Sequence, residues 1–447
     1  MNRTPSASRL LAPDNSMNIL TLSCWSNYIH FRLYRTDGFA LLALGSVDRV
    51  GLGDSHLTVI QPGRLKKTLD VDYCDHRGAV SLIIAALTDG EHGVMACAQE
   101  IAAVGHRVAH GGEQFRNSAV IDEQAFVAIR SLQQLAPLHI PYNLAGIEAA
   151  REQLPGIPHI AVFDTAFHQT IPEHAFIYPL PFEWYEHDAI RRYGFHGHAH
   201  LYLSRRAAAL LGKRPEECNL VTIYLDRGVS LCAIQDGISI DTSMGMTPLE
   251  GAVMDTRCGD IDPGIITFEM KRGNLSAREI DVILNQKSGL FGITGKHYDP
   301  SRLVQEASRG NERCALALKI MVHRLKKYIG SYCAAAGPLD GVIFSHGSGS
   351  DDWYVRQLAM EGMGIFGLRL DSVKNREAVS PCGEFIVSAA GSPTAVFVIP
   401  SDEQQAFAED VASILADGRI DHVRHAYTFS RSGFVPNICA EERDLRG

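Results

Sequence analysis

The chain has 447 residues, of which 46% are hydrophobic and 21% charged, and its formal net charge is −9. At about 150 residues per domain, this length predicts two or three domains. The negative charge argues against general binding to nucleic acid or to an anionic membrane, and no apolar run approaches the about 20 residues of a membrane span. The ten cysteines are scattered without a C-x-x-C pair, which favours reduced thiols in a cytoplasmic protein over a disulfide framework or a zinc ribbon.

The sequence pattern predicts strands and helices after a short leader. Residues 1–16 lack the apolar core of a signal peptide, and we interpret them as a disordered leader. Short apolar runs, partly β-branched, predict strands at 18–22, 29–34, 39–44, 104–109, 158–163, 219–225, 229–234, 342–344, 384–388 and 395–399. Helical spacing of apolar residues predicts helices at 77–88, 122–135, 198–211, 312–336 and 403–415. Residues 417–447 are polar and irregular, as a C-terminal tail would be.

Two stretches of the chain repeat one pattern. Residues 18–34 and residues 219–234 each contain a predicted strand, a short polar loop and a second strand. A duplicated α/β domain with a cleft between the halves would explain the repeat. The match is short, so coincidence is the alternative interpretation.

The most distinctive stretch is polar and rich in glycine, and reads D-T-S-M-G-M-T-P-L-E-G-A-V-M-D-T-R-C-G-D-I-D at 241–262. Arg257 lies in it between small residues, with Asp255 and Asp260 nearby. A planar guanidinium binds two oxygens at once, so this arginine is a candidate clamp for phosphate or carboxylate. The alternative is a surface loop with a solvated ion pair. Cys258 is a candidate redox-sensitive thiol, since a nearby cation lowers the pKa of a thiol.

Two predicted strands end on charged side chains. The motif H-R-V-A-H-G-G-E at 106–113 places Arg107 at a strand end beside a pair of glycines. The motif V-F-D-T-A-F-H-Q-T at 162–170 ends an apolar strand on Asp164. Ligands of α/β proteins bind at strand ends, so both residues are candidates for a site. A structural cap is the alternative role for the aspartate.

Three histidines cluster at His196, His198 and His200, in R-R-Y-G-F-H-G-H-A-H. The H-x-H-x-H spacing is compatible with a metal site. Alternatively, one histidine lies in a catalytic cleft and the others cap the following helix. Together with two arginines, a carboxylate and no obvious nucleophile, a cleft histidine favours phosphoryl transfer, in which positive groups around the transferring group do most of the work.

These motifs resemble those of the acetate kinase family, within the acetate and sugar kinase, Hsc70 and actin superfamily. The matching stretches are H-R-V-A-H-G-G-E (106–113), L-A-P-L-H (135–139), V-F-D-T-A-F-H-Q-T (162–170), R-R-Y-G-F-H-G (191–197), D-T-S-M-G-M-T-P-L-E-G (241–251), T-R-C-G-D-I-D-P (256–263) and S-G-L-F-G-I-T-G (288–295). The resemblance implies an α/β fold of two duplicated actin-like, ribonuclease H-like domains with the active site in the cleft between them. The N-terminal domain would comprise residues 17–165 plus 404–416, and the C-terminal domain residues 166–403.

The resemblance also implies a reaction. It is reversible, in-line phosphoryl transfer between ATP and acetate, or propionate, which gives an acyl phosphate and ADP with Mg²⁺ or Mn²⁺. Arg107 and Arg257 would flank the transferring phosphoryl group and the substrate carboxylate. His196 would stabilise the equatorial oxygens, Asp164 would orient an arginine and the substrate, and His139 would be a supporting phosphoryl contact. A homodimer is expected from the family as well.

The substrate pocket follows from the same resemblance. The apolar end of the carboxylate would lie among Ala109, Leu138, Phe195 and Pro248. Many acetate kinases carry valine where this chain has Ala109. The lost methyl groups leave room that is worth roughly 1–2 kcal/mol to a longer acyl chain. The sequence therefore predicts that propionate is accepted well.

The departures from the family pattern fall on the side of the phosphoryl donor. The family opens with N-x-G-S-S-S-x-K, and residues 23–30 read S-C-W-S-N-Y-I-H, with Ser23 at the metal-binding asparagine and Trp25 at the glycine. A tryptophan at a glycine position is expected to obstruct close approach of the backbone to phosphate.

Glu403 matches the family's magnesium carboxylate. The candidate nucleotide-binding residues are Asp226, Arg227, Gly228, Asp299, Gly347 and Gly349.

The motifs on the carboxylate side match the family pattern, whereas those on the donor side differ from it. This combination leaves three main interpretations. The first is a carboxylate kinase that binds ATP in altered geometry. The second is a kinase with another donor, such as pyrophosphate or a different nucleotide. The third is a non-catalytic protein that binds an acyl phosphate, although the joint presence of the catalytic candidates argues against it. A zinc hydrolase built on the three clustered histidines is a fourth.

Overall fold

The structure is a computed structural model that describes residues 16–64, 66–226, 228–345, 352–379 and 383–437. The strands are β1 (Asn18–Cys24), β2 (Tyr28–Arg35), β3 (Ala40–Asp48), β4 (Ser55–Ile60), β5 (Lys67–Val71), β6 (Ile101–Val108), β7 (Ala119–Val120), β8 (His159–Phe163), β9 (Leu220–Leu225), β10 (Val229–Gln235), β11 (Ile238–Thr242), β12 (Gly341–Ser345), β13 (Phe385–Ile386) and β14 (Ala395–Ile399). The α-helices are α1 (His76–Leu87), α2 (Glu123–Ser131), α3 (Ile140–Gln153), α4 (Glu173–Phe176), α5 (Phe182–Asp188), α6 (Gly197–Leu211), α7 (Gly264–Gly273), α8 (Ala277–Gln286), α9 (Gly289–Thr294), α10 (Pro300–Ser308), α11 (Glu312–Ala336), α12 (Asp352–Met360), α13 (Ser372–Glu377) and α14 (Glu403–Asp417).

The chain divides into two compact units. Unit 1 contains the described residues up to Phe167 and those from Asp402 onward, and unit 2 contains His168–Ser401. Glu403, which the expected boundary put in the second domain, is the first residue of α14 and belongs to unit 1. Among the described residues, no helix combines the length and the apolar character needed to cross a membrane.

Unit 1 is built on an eight-stranded sheet with the order β5-β4-β3-β2-β1-β6-β8-β7. Strands β1 to β5 form an antiparallel meander, and β1, β6 and β8 run parallel. Because successive side chains of a strand point to opposite faces, β6 meets a different helix on each side. Val104 belongs to a core cluster that includes Ala149 and Ala150 of α3, whereas a Cβ on Gly105 would lie 2.6 Å from Val411 of α14. The sheet is therefore covered by helices on both faces.

Unit 2 has a six-stranded sheet with the order β11-β10-β9-β12-β14-β13. Strands β9, β12 and β14 run parallel, and β10 and β11 extend the sheet as an antiparallel meander. Helix α6 packs against β9, β12 and β14, and α11 packs against β9 and β10. The order β3-β2-β1-β6-β8 of unit 1 thus recurs as β11-β10-β9-β12-β14. The predicted α/β class and the duplication signalled by the repeated strand pairs are confirmed.

The chain after α14 packs back onto that helix. Asp410 is fully buried, and its carboxylate accepts hydrogen bonds from Ser118 Oγ at 2.6 Å and from Tyr427 OH at 2.8 Å, while His422 Nε2 lies 2.8 Å from it. Phe429 is also fully buried. Buried carboxylates need such partners, because an unpaired one is costly to desolvate. The described part of the predicted tail is therefore an ordered part of unit 1.

Candidate active site

Arg107 and Asp164 lie at the adjacent ends of the parallel strands β6 and β8. Arg107 Nε donates to Asp164 Oδ1 at 2.9 Å, and Nη2 donates to Asp164 Oδ2. The backbone N–H of Asp164 donates to Val108 O at 3.0 Å, which fixes the two strand ends against each other. Burial opposes the charge of Arg107, but the neighbouring carboxylate outweighs it and the pKa of the arginine is raised. The sequence-predicted pair is therefore a fixed, bidentate ion pair.

Asn143 of α3, which lies outside the sequence motifs, joins the end of β6, next to Arg107, to the end of β1. Its Oδ1 accepts from Ala109 N at 3.0 Å, and its Nδ2 donates to Cys24 O at 2.9 Å. The side chain is buried, and both ends of its amide are used. An asparagine among the mostly apolar residues of 140–147 was the available signal.

The indole of Trp25 lies over Arg107 in unit 1, and two further aromatic rings pack against the indole. The guanidinium carbon is 4.2 Å from the ring centroid of Trp25. The indole of Trp25 meets the ring of His139 edge-on at 5.6 Å and stacks on Tyr28 at 5.7 Å. His139 also precedes the first turn of α3. The predicted supporting histidine and the predicted arginine are thus linked through an indole.

The residues predicted to hold a metal lie at the end of β1 and the start of α14. Ser23 Oγ accepts from Gln404 Nε2 at 3.0 Å. Glu403 is close enough to Arg107 to raise its pKa electrostatically. Hydroxyl, amide and carboxylate oxygens suit Mg²⁺, which keeps several waters and needs only one or two protein carboxylates beside the phosphates of a substrate. The residues present therefore fit Mg²⁺ or Mn²⁺.

In unit 2, His196 stands at the N-terminus of α6 in a strained backbone conformation. Its φ is 57°, in the left-handed region, where histidine is among the few tolerated residues. The preceding Gly194 has φ 76°, and a Cβ there would lie 2.4 Å from Thr242 Cγ2. The N–H groups of Tyr193 and Gly194 both donate to Gly245 O at 3.1 Å. The motif around the histidine is thus fixed to the D-T-S-M-G segment, and the N-terminus of α6 favours an anion near it.

A line of hydrogen bonds runs from His196 into the core of unit 2. His196 Nδ1 lies 2.9 Å from Ser230 Oγ, which lies 2.8 Å from His200 Nε2. His200 Nδ1 lies 2.8 Å from Thr222 Oγ1. Burial, reinforced by the neighbouring histidines, holds the pKa of His200 well below its ordinary value, so this ring is neutral. Ser230 and Thr222 were not singled out in the sequence.

The loop that carries Arg257 is fixed by residues other than its arginine. Asp260 Oδ1 accepts from Gly251 N at 2.8 Å, and Oδ2 accepts from Tyr328 OH at 2.7 Å. Asp260 Oδ2 also lies 3.1 Å from Arg324 Nη1. Asp255 Oδ2 lies 3.1 Å from His297 Nδ1. The two acids near Arg257 in sequence therefore have other partners, and the interpretation of the loop as a solvated ion pair with Arg257 is wrong.

The backbone of Gly228 packs closely against both His196 and Arg257. A Cβ on this glycine would lie 3.3 Å from His196 Nε2 and 3.4 Å from Arg257 Nη1. Arg257 Nη1 also donates to Pro248 O at 3.2 Å. A ring nitrogen and a guanidinium nitrogen thus converge on the backbone of Gly228, at the turn after β9, where only a glycine leaves both of them room. Two nitrogen groups this close to each other suit the oxygens of a phosphoryl group.

The other predicted nucleotide-binding residues make only local contacts or lie outside the described residues. Asp226 is exposed, and its backbone N–H donates to Gly228 O at 3.2 Å. Asp299 caps α10, where its Oδ1 accepts from Arg302 N at 2.8 Å. Arg227, Gly347 and Gly349 lie outside the described residues. A nucleotide role for the glycines and for the two aspartates stays a prediction.

The predicted carboxylate-pocket residues fall into both units. Ala109 is buried in unit 1, and Leu138 of the same unit is 47% exposed. Phe195 belongs to the core of unit 2, and Pro248 accepts the hydrogen bond from Arg257 already described. Their joint role in a pocket stays a prediction.

Two of the sequence interpretations are wrong. Within the described part of the chain, His196, His198 and His200 do not bring three ligand atoms close enough together to hold one metal ion. His196 Nδ1 and His200 Nε2 lie instead within hydrogen-bond distance of Ser230 Oγ. The zinc-hydrolase alternative loses its basis. Burial raises the pKa of Cys258, with Asp260 adding to the effect, so this thiol is not activated by its arginine neighbour.

The family model described as the Acetokinase family matches residues 18–409. The acetate kinase of Geobacter metallireducens is 51% identical over 419 residues, which cover 94% of this chain and 100% of the relative. A solved structure of Porphyromonas gingivalis acetate kinase superposes with a TM-score of 0.84 at 38% identity, covering 89% of this chain and 100% of the other. A propionate kinase structure from Francisella tularensis gives a TM-score of 0.82 at 32% identity, covering 88% and 98%. The fold, the motifs and these relatives together show that the chain belongs to the acetokinase family.

Proposed function

We propose that this protein is a short-chain carboxylate kinase, which transfers a phosphoryl group reversibly and in line between ATP and acetate, or propionate, to give an acyl phosphate and ADP. The observation that carries the proposal is the convergence of His196 Nε2 and Arg257 Nη1 beside Gly228. Phosphoryl transfer needs little covalent help from the protein, so groups that stabilise charge on the equatorial oxygens supply most of the catalysis. The relatives named acetate kinase and propionate kinase support the same reaction.

Each charged residue has a distinct task in this reaction. Arg257 donates to an equatorial oxygen of the transferring phosphoryl group, and His196 donates to another through Nε2. Arg107 binds the oxygens of the carboxylate and the phosphoryl group with its remaining donors, because Asp164 uses only Nε and Nη2. The aspartate fixes the plane of the fork and does not exchange a proton. No nucleophilic side chain is required, since the substrate carboxylate attacks phosphorus directly.

Glu403 and Ser23 would hold the divalent cation, through oxygen atoms that suit it. When bound, the cation neutralises charge on the donor phosphates. The protein's own contribution at this position is Gln404, which fixes the Ser23 hydroxyl through its amide.

The donor is the part of the proposal that most needs a test, because the donor-side motifs depart from the family pattern. Purified protein should be given acetate and Mg²⁺ with ATP, GTP or pyrophosphate in turn, and acyl phosphate should be trapped as the hydroxamate. Arg257→Ala serves as the control, with circular dichroism to verify its fold. Turnover with ATP that is lost in the control is the expected result.

The other outcomes separate the alternatives. Turnover only with GTP or pyrophosphate would mean that the altered donor-side motifs select a donor other than ATP. No turnover with any donor from folded protein would overturn the kinase and favour a protein that binds an acyl phosphate without transferring its phosphoryl group. The homodimer and the cytoplasmic location stay predictions.

A further inference from the structure

Two side chains of unit 1 hold the planar guanidinium of Arg107, one at an edge of the plane and the other on a face. Asp164 occupies the edge that carries Nε and Nη2. The indole of Trp25 covers a face, with the guanidinium carbon 4.2 Å from the ring centroid. The Arg107 side chain is only 13% exposed. These two contacts leave the edge with Nη1 in a defined plane, where it can donate to an oxyanion.

Trp25 is itself fixed by its surroundings. Its backbone N–H donates to Tyr28 O at 2.9 Å, which closes the turn between β1 and β2. Its carbonyl oxygen lies 2.7 Å from His76 Nε2. The ring stacks on Tyr28 with an interplanar angle of 26° and meets His139 edge-on at 69°. Both the backbone and the ring of Trp25 are therefore restrained, so that the indole can orient the guanidinium.

The interaction is of a kind that orients an arginine. A guanidinium stacked on an aromatic face is attracted by the ring quadrupole, more strongly where water is excluded. The resemblance described above places Trp25 where the family has a glycine, which has no ring to stack. This chain thus orients its phosphoryl-site arginine with a group that the family pattern lacks.

We propose that Trp25 is a positioning residue for Arg107, which holds the guanidinium in the plane of Asp164 so that the Nη1 edge meets the substrate oxyanion. This proposal rests on the proposed function, since it assigns Arg107 to the substrate. The competing explanation is that the indole only fills space at the surface of unit 1.

The kinetic test compares Trp25→Ala with Trp25→Phe. A misplaced arginine costs transition-state stabilisation more than ground-state binding, so Trp25→Ala should lower kcat about tenfold with KM for acetate changed less than about threefold. Trp25→Phe retains a π face and should stay within about threefold of the wild-type kcat. A wild-type kcat in Trp25→Ala, or equal losses in the two variants, would overturn the proposal.

The optical test needs no turnover. The chain has three tryptophans, so the double variant Trp184→Phe, Trp353→Phe leaves Trp25 as the only indole. Acetyl phosphate should change its emission in a saturable way, and Arg107→Ala in that background should weaken the apparent affinity at least tenfold. Unchanged emission at acetyl phosphate concentrations that support turnover would contradict the proposal.

The two tests distinguish this inference from the proposed function. If the wild-type protein has no kinase activity but Trp25 emission still reports acetyl phosphate through Arg107, the kinase fails and the positioning role stands. If the kinase is active but Trp25→Ala matches the wild type, the kinase stands and the positioning role fails.

Discussion

His196 and His200 share a single hydroxyl group. Ser230 Oγ lies 2.9 Å from Nδ1 of the first ring and 2.8 Å from Nε2 of the second, and its one hydrogen can be donated to only one of them. If Ser230 donates to His196, a neutral His196 keeps its proton on Nε2. If Ser230 donates to His200, His196 must donate through Nδ1, and Nε2 carries a proton only when the ring is charged. The hydroxyl therefore controls what His196 offers to a phosphoryl oxygen.

Ser230→Ala should accordingly impair catalysis more than binding. Without the hydroxyl, the tautomer and the orientation of His196 are no longer fixed, and we expect kcat to fall by about 10–100-fold with little change in KM for acetate. Steady-state kinetics across pH 6–9 would measure the loss and any change in the pH profile.

A matched control is Ser239→Ala. Ser239 Oγ lies 2.9 Å from Nδ1 of His168, another buried histidine of unit 2, so this change also removes a histidine-bound hydroxyl. It should keep kcat within about threefold. A Ser230→Ala enzyme as active as the Ser239→Ala enzyme would contradict the role given to Ser230.

Arg257→Ala should lower kcat by on the order of 10³-fold or more, because a guanidinium that stabilises the transferring phosphoryl group is lost. Arg257→Lys should restore only part of it, since a point charge cannot replace the planar fork. Arg302→Ala, which removes an exposed arginine paired with Glu306, should be near wild type. A loss of tenfold or less in Arg257→Ala would remove this residue from the phosphoryl site.

Ala109→Val should shift the substrate preference from propionate towards acetate. The wild-type protein is expected to show comparable kcat/KM for the two acids, and two added methyl groups, worth roughly 1–2 kcal/mol, should lower the propionate-to-acetate ratio by about tenfold. Competition between the two acids in one reaction measures the ratio directly. A strong preference of the wild-type protein for acetate would contradict the assignment of Ala109 to the acyl pocket.

Glu409 makes the stability of unit 1 depend on pH. Burial raises its pKa to about 7, against the hydrogen bonds from Thr428 and Gln405, which lower it, and with Asp410 adding to the rise. Because the folded pKa lies above the about 4.3 of an unfolded glutamate, the folded state binds the proton more tightly. Its contribution to stability is present at low pH and is lost as pH rises from about 4.3 through about 7.

Glu409→Gln should remove this dependence. Calorimetric Tm values between pH 5 and pH 8 should show the variant gaining on the wild type as pH rises, because the amide is never charged. Glu312→Gln, at an exposed position of α11, is the control and should track the wild type. An identical Tm difference for Glu409→Gln at pH 5 and pH 8 would refute the assignment.

The strand pattern and the catalytic candidates could be predicted because apolar runs and long motifs are local features. Helix α3 could not, because its buried residues include Asn143 and Gly146, which a search for apolar spacing counts as polar and as a breaker. Strand β5 is mostly exposed and pairs only at the edge of its sheet, so it carries no apolar signal. Ser230 was missed for a related reason, since its role depends on two histidines that reach it only in the folded state.

The order of the units along the chain has a consequence for synthesis on the ribosome. Unit 2 occupies one continuous stretch, His168–Ser401, whereas the sheet of unit 1 is covered on one face by α14, which lies after that stretch. The first segment of unit 1 ends at Phe167. At roughly 5–20 residues per second, the ribosome needs about ten to fifty seconds to synthesise the chain from there to α14. During this interval the face of the sheet that Val411 will cover at Gly105 is an apolar surface without its helix. A stop codon before α14 should therefore yield chains that aggregate, because this apolar surface is never covered.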